Sequence, residues 1–199
     1  LLGWNPGTEE EIFDLGSLIK NFDIRKVQKK SAIFDRKKFN WISSQHLMKE
    51  DSKKVLNRLA IIDPEWGKSN RQDYLIKVIN LMKPRSNSLT DLIDQSQYFF
   101  SSPKKFNSTQ LKKIWKKDTA EKVIELKSVL ESINSWVAIE LESNFKSFTY
   151  KRGIGLGKVM QPMRFLICGS LQGPSLFDLM ELIGKDESLN RINYAIIEF

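Results

Sequence analysis

The chain has 199 residues, of which 41% are apolar, with one cysteine, one histidine and a net charge of +8 at pH 7. That length can bury a sizeable core, as one large domain or two small ones, while the Cys and His counts exclude an intramolecular disulfide and a zinc site of His/Cys spacing. No run of about 18 apolar residues and no basic-then-apolar leader is present, so a cytoplasmic, reducing setting with no membrane contact is expected.

Periodicity predicts helices almost throughout, and the elements follow in chain order. In "TEEEIFDLGSLIKNF", Thr8 and Glu11 form a capping-box pattern, and Ile12, Leu15, Leu18, Ile19 and Phe22 recur at helical spacing. "FDRKKFNWISSQHLMK" offers Asp35 as an N-cap, with Phe39, Ile42 and His46 on one stripe and Trp41 and Met48 near its flank. "DSKKVLNRLAII" is stopped by Asp63-Pro64, and "NRQDYLIKVINLMKP" ends at Pro84. "SLTDLIDQSQYFF" opens on Ser88 and Asp91 as a second capping box and is expected to run until Pro103 halts it. "STQLKKIWKK", "DTAEKVIELKSVLESI" and "NSWVAIELESNFKSFTYKR" each begin with a capping residue, and Gly153 is placed to close the last. No strong strand alternation or Asn-Gly hairpin signal competes, and no fixed-period repeat suggests a solenoid. The expected fold is all-α, built as compact helical bundles.

The charge is segregated along this pattern. Residues 20 to 60 hold twelve Lys/Arg against four acids, residues 104 to 122 hold seven against two, and residues 150 to 170 hold four against none. A positive field over part of the surface attracts a polyanion such as nucleic acid, although solvated helix faces produce the same count.

Catalytic chemistry is absent from the pattern. "GIGLG" lies between two helices instead of following a strand, so it reads as a flexible turn and not as a phosphate loop. His46 on its helical stripe reads as a packed or partly buried histidine, Cys168 in "RFLICG" as a small core hydrophobe, and Glu140 and Glu142 as a solvated face. No catalytic or metal-ligating residue is assigned.

"LLGWNPG…EIFDLGSLIKNFDI", "SAIFDRKKFNWISSQHL" and "GKVMQPMRFLICGSLQGPSLFDLMELIGK" together resemble the C-terminal half of bacterial-type glutamyl-tRNA synthetases, with "LMKPRSNSLTDL" a further match. The resemblance spans Leu1 to about Ile196. That family is a class I synthetase that uses ATP and Mg to attach glutamate to tRNA. Its His-Ile-Gly-His and Lys-x-Ser-Lys type signatures do not occur here, which implies a piece beginning just beyond the active site, inactive alone and without a cofactor of its own. The resemblance implies the tail of a stem-contact domain at 1–48 and two helical anticodon-binding subdomains at 49–103 and 104–199, with Pro103 at the junction. The implied partner is tRNA(Glu), with tRNA(Gln) left open, and the implied state is a monomer.

Site residues follow from the same resemblance. Arg164, Gly173, Pro174 and Leu176 fall at positions that meet the first two anticodon bases, and Arg85 at one that faces the third. The chemistry fits: Arg164 offers a planar cation, Gly173 lets backbone approach closely, Pro174 fixes the turn and begins the next helix, and Leu176 either lies against a base or fills the core. Arg85 is expected to project from a turn kept polar by Ser86, Asn87 and Ser88. Lys112, Lys113, Lys116 and Lys117 are expected to meet the tRNA backbone. A helical protein-interaction module without tRNA specificity is the alternative reading.

Overall fold

The computed structural model describes residues 3–29, 31 and 33–198. Leu1 and Leu2 of "LLGW", Lys30 of the first basic block, Ala32 of "SAIFDRK" and Phe199 lie outside the described residues. Among the described residues there are eleven α-helices and no strand.

Helix α1 is Leu15–Asn21, half the expected length. The Thr8–Glu11 capping box does not form: Asp14 accepts from the Ser17 backbone N–H at 2.6 Å, and Glu11 is drawn into an ion pair with Lys38. A short carboxylate placed just before the helix satisfies an orphan donor of its first turn and so fixes the start. The apolar stripe predicted here is not covered, since Leu15, Ile19 and Phe22 are exposed and no described residue before Leu47 is buried. In α2 (Arg36–Lys49), Asp35 caps as expected, accepting from the Lys38 N–H at 3.0 Å. Its one buried residue is Leu47. His46 is exposed, which corrects its reading as a packed histidine: Leu47, the next residue around the helix, takes the inward position.

Helices α3 (Ser52–Ile62), α4 (Gln72–Met82) and α5 (Leu89–Gln95) pack on one another through Val55, Leu59, Val78, Ile79 and Leu92. Asp51 and Ser88 cap α3 and α5. Asp91 supports the second cap from one residue further back than a standard box, accepting from the Asn87 N–H at 2.8 Å. After α4 comes a tight 3-10 turn, Lys83–Arg85. Lys83 is only 8% exposed, and its ammonium donates to the Glu50 carbonyl, locking the α2–α3 junction to the end of α4. Ser86 is also buried and donates to the Met82 carbonyl at 3.0 Å, so the turn is less polar than expected.

Helix α5 ends eight positions before Pro103, because Ser96 is recruited inward. Its hydroxyl accepts from Trp66 Nε1 at 2.8 Å and donates to the Ile93 carbonyl, and the chain tightens into a 3-10 turn at Gln97–Phe99. Burying an indole N–H without a partner would cost about 1–3 kcal/mol, so this pairing outweighs continuation of the helix.

The second body comprises α6 (Ser108–Ile114), α7 (Thr119–Glu131), α8 (Ala138–Lys151), α9 (Gly157–Cys168), α10 (Leu176–Ile183) and α11 (Lys185–Glu198). Helix α8 starts four residues after the predicted cap at Asn134: Trp136 packs inward and donates to the Met180 carbonyl, while Glu181 of α10 accepts from the Ala138 N–H at 2.5 Å. Gly153 lies just past its end with φ +63°, as expected of a glycine closing a helix. Helix α10 packs against α8, α9 and α11 and also against α4, so one buried cluster runs from Leu47 to Ala195 across both bodies.

The two bodies are joined by a polar clamp. Arg191 of α11 is 3% exposed. It donates to the Tyr98 and Ile167 carbonyls, each at 2.8 Å, and to Glu187 at 2.7 Å, and Glu187 also accepts from Ser102 at 2.7 Å. Burial would raise the Glu187 carboxyl, but the hydrogen bonds from Ser102 and Arg191 and the Arg191 charge hold it below its ordinary 4.5. A carboxyl depressed in the fold takes its proton first in the unfolded chain, so its contribution is complete above pH 4.5 and is lost as pH falls through the folded value. Urea unfolding should therefore show wild type losing stability below pH 4.5 more steeply than Glu187→Gln. Arg191→Met should lower stability by about 1–3 kcal/mol at neutral pH, since it leaves the Tyr98 and Ile167 carbonyls without their donor, while the half-exposed Glu187 carboxylate can turn to water.

Candidate nucleic-acid interface

The C-terminal end of α9, the loop after it and the 97–105 segment define one cleft. Gly169 closes α9 in the left-handed region at φ +71°, and a β-carbon there would stand 2.8 Å from Pro103, so the α9 end and the junction between the bodies touch backbone to ring. The loop then folds on itself through the Gln172 N–H, which donates to Ser170 Oγ at 3.1 Å. Arg164, one turn before the end of α9, donates from Nη1 to the Pro174 carbonyl at 2.5 Å. That bond holds the loop in place with one of the five guanidinium N–H groups.

Pro174 is buried and precedes the helix; Ser175 is the residue that caps α10, accepting from the Asp178 N–H. Leu176 is fully buried, so its side chain fills the core and offers no surface to a base, which corrects the stacking role expected for it. Gly173 has φ +150° and is crowded, since a β-carbon would lie 3.2 Å from both Arg164 Nη1 and the Tyr98 hydroxyl.

Arg85 comes from the other body. It is exposed at the end of its 3-10 turn. Burial pushes the Tyr98 phenol up, while the charges of Arg164 and Arg85 both pull it the other way. The fold thus sets Arg164 and Gly173 against Tyr98 from the other body, and the Tyr98 hydroxyl reaches Met82, three residues before Arg85. Tyr98 carried no recognisable pattern in "QYFF", and its place depends on long-range contacts. Lys104 and Lys105, both exposed beside this cleft, were counted in a basic block without being singled out. Cys168 is buried at the cleft floor and burial pushes its thiol up to about 12, which fits a core hydrophobe and not a nucleophile.

A second basic region lies at the opposite end of α9. Lys112, Lys113, Lys116 and Lys117 are exposed on α6 and just beyond it, and among the described residues none of them is ion-paired. Lys116 donates to the Lys112 carbonyl at 3.1 Å. Lys113 and Lys116 face a cavity of about 400 Å³ that is also lined by Lys158, Lys122 and the 153–157 glycine turn. Lys122 is neutralised by Asp118, and Arg152 by Glu121 and Glu125. Among the described residues no group of three or more His, Cys, Asp or Glu could hold a metal, and no helix is long and apolar enough to cross a membrane.

An all-helical body whose unpaired cations gather at one cleft and along one helix has the build of a polyanion-binding module. Residues 54–196 match the anticodon binding domain family, and the chain belongs to that family. It is 37% identical to the glutamate–tRNA ligase of Flavobacterium johnsoniae over 196 residues, and 38% identical to that of Flavobacterium psychrophilum. Among solved structures, a glutamate tRNA ligase from Elizabethkingia meningosepticum in complex with its amino acid superposes with a TM-score of 0.85 at 33% identity, covering 99% of this chain and 39% of that one. The glutamate-tRNA synthetase of Elizabethkingia anophelis gives 0.82 at 31%. The chain spans 39% of the length of the Flavobacterium relatives.

Gly173→Ala should destabilise the fold by about 1–3 kcal/mol, because an L side chain is strained at this φ and its β-carbon crowds both Arg164 and Tyr98. An unchanged urea midpoint would mean that the loop has a relaxed alternative.

Proposed function

We propose that this chain is the tRNA-binding, anticodon-reading part of a cytoplasmic glutamate–tRNA ligase, whose full protein attaches glutamate to tRNA(Glu) with ATP and Mg. The observation that carries this reading is the meeting of Arg164 and Gly173 from one helical body with Tyr98 from the other, whose hydroxyl also touches Met82 just before the turn that carries Arg85. A splayed single-stranded loop is read by side chains arranged in this way, with planar cations and a close-approaching backbone meeting base edges. The similarity to glutamate–tRNA ligases across 98% of the chain supports the choice of glutamate and its tRNA.

In this reading residues 1–48 belong to a stem-contact segment, 49–103 to a first anticodon-binding subdomain and 104–199 to a second. Arg85, Arg164 and Gly173 meet anticodon bases, Pro174 contributes through the loop backbone, and Lys112, Lys113, Lys116 and Lys117 meet phosphates. A module that recognises another protein through an apolar face is the weaker reading, because the chain belongs to a family of anticodon-binding domains. The chain acts as a monomer, and ATP binding and glutamate activation reside in the rest of the ligase.

Binding of tRNA(Glu) by the chain should weaken with salt. If about four lysines neutralise phosphates, the log–log slope should be roughly 3 to 4 in magnitude. Neutralising Lys112, Lys113, Lys116 and Lys117 together should flatten that slope and weaken all tRNAs alike, measured by filter binding across a salt series. A wild-type slope near zero would contradict the phosphate contacts. The third anticodon base is C in tRNA(Glu) and G in tRNA(Gln), and guanidinium donors suit the acceptors on the pairing edge of cytosine. Arg85→Gln should therefore lose about 1–3 kcal/mol of preference for tRNA(Glu). Equal preference in wild type and variant would remove Arg85 from the specificity site.

A further inference from the structure

Between the 3-10 turn at Gln97–Phe99 and the α9–α10 loop opens a cavity of about 760 Å³, lined by Gln97, Tyr98, Lys104, Gln172 and Gly173 among others. Sites that enclose small ligands fall in the range of about 300–1,000 Å³. The wall shared by its two sides is Tyr98. The backbone of this residue is pinned, since its carbonyl accepts from the buried Arg191 at 2.8 Å, and its ring lies 4.9 Å from that of Phe99. The hydroxyl is therefore held at a fixed place.

What that hydroxyl lacks is a good partner. Its hydrogen bond is to Met82 Sδ at 3.5 Å, and a thioether is a weak acceptor. The phenol oxygen keeps its accepting lone pairs, and its proton is available to a better acceptor. It also stands 3.2 Å from the point where a β-carbon on Gly173 would sit, so the hydroxyl lies directly against the space a side chain at 173 would enter. The glycine supplies no polar group of its own. The tyrosine reaches across from the other body and puts one there.

We propose that this cavity receives a single unstacked nucleobase and that the Tyr98 hydroxyl is a specificity-determining contact to its edge, standing in for the side chain absent at Gly173. The proposal rests on the reading of the chain as an anticodon-loop binder. The neighbouring group supports it: Arg164 offers donors only, whereas a phenol both donates and accepts, so Tyr98 can meet a base edge that carries either kind of group. Ordinary hydroxyl-to-base exchange of partners is the only event required, with the Met82 bond released as the base bond forms.

The test is Tyr98→Phe in the full 199-residue chain, which keeps the ring and removes a hydroxyl that, among the described residues, bonds to Met82 Sδ alone. Affinities for the tRNA(Glu) anticodon stem-loop are compared with those for the same hairpin made abasic at each loop position in turn, and at all of them together. Wild type should distinguish the intact loop from the fully abasic one. Tyr98→Phe should bind the intact loop about three- to tenfold more weakly, the effect of one net hydrogen bond, and the two proteins should become equal when the abasic site is at one particular position. If wild type separates the loops and Tyr98→Phe matches it on every one, Tyr98 is excluded while the loop-reading function stands. A variant that is equally weakened on all hairpins, including the fully abasic one, also overturns the base contact. If wild type itself fails to separate intact from abasic loops, the anticodon reading falls and the pocket assignment falls with it.

Discussion

A guanidinium sealed from water at the meeting of two helical bodies governs the geometry of everything around it. Arg191 has almost no solvent to fall back on, and its Nε and Nη1 donate to three different segments: the Tyr98 carbonyl, the Ile167 carbonyl and the Glu187 carboxylate. A buried charge of this kind adds little net stability over a well-packed apolar group, but losing one partner is costly, and that asymmetry favours a single arrangement of the segments it joins. Because one of those segments carries Tyr98 and another carries the end of α9, the clamp sets the distance between the first body and the α9–α10 loop. The cleft is a consequence of that distance.

The apolar core works with this clamp. Helix α10 touches both α4 and the helices of its own body, and the buried cluster is continuous from Leu47 to Ala195. Arg85 on one body and Arg164 on the other are thus held on a common frame, which is a requirement for reading adjacent bases of one loop with groups distant in sequence. Charge segregation is refined by the fold as well. Arg152 is absorbed by Glu121 and Glu125 and Lys122 by Asp118, whereas Lys113, Lys116 and Lys158 converge on the glycine turn at the other end of α9. What the sequence shows as a basic block is therefore divided into neutralised cations and cations left for a partner.

Much of the architecture was legible because it is local. Asp35 and Ser88 cap their helices through side-chain oxygens within three residues, and Gly153 closes its helix, so short-range pattern sufficed. The failures share the opposite property. Helix α5 ends early because Ser96 answers Trp66 from thirty positions away, and α8 starts late because its first N–H is satisfied by Glu181. Residues 8–13 carried helical periodicity, yet nothing among the described residues covers that stripe and Asp14 sets the start of α1. At the site, Arg85, Arg164 and Gly173 were reached through resemblance. Leu176 looked available for stacking because a leucine just after a turn shows no sign of which way it faces. Arg191 and Tyr98 were invisible for the same reason, since a buried arginine and a surface arginine have identical spelling.

In the proposed complex, elements of both helical bodies form one RNA-binding cleft. An amide-detected NMR titration of the 199-residue chain with the anticodon stem-loop of tRNA(Glu) tests it directly. Amides at 83–87, 97–105 and 168–175 should shift together along a single binding isotherm, with Arg85 and Gly173 responding at the same RNA concentration. Shifts confined to one body, or gathered on the exposed apolar stripe of α1 and α2 while these three segments stay still, would contradict the account.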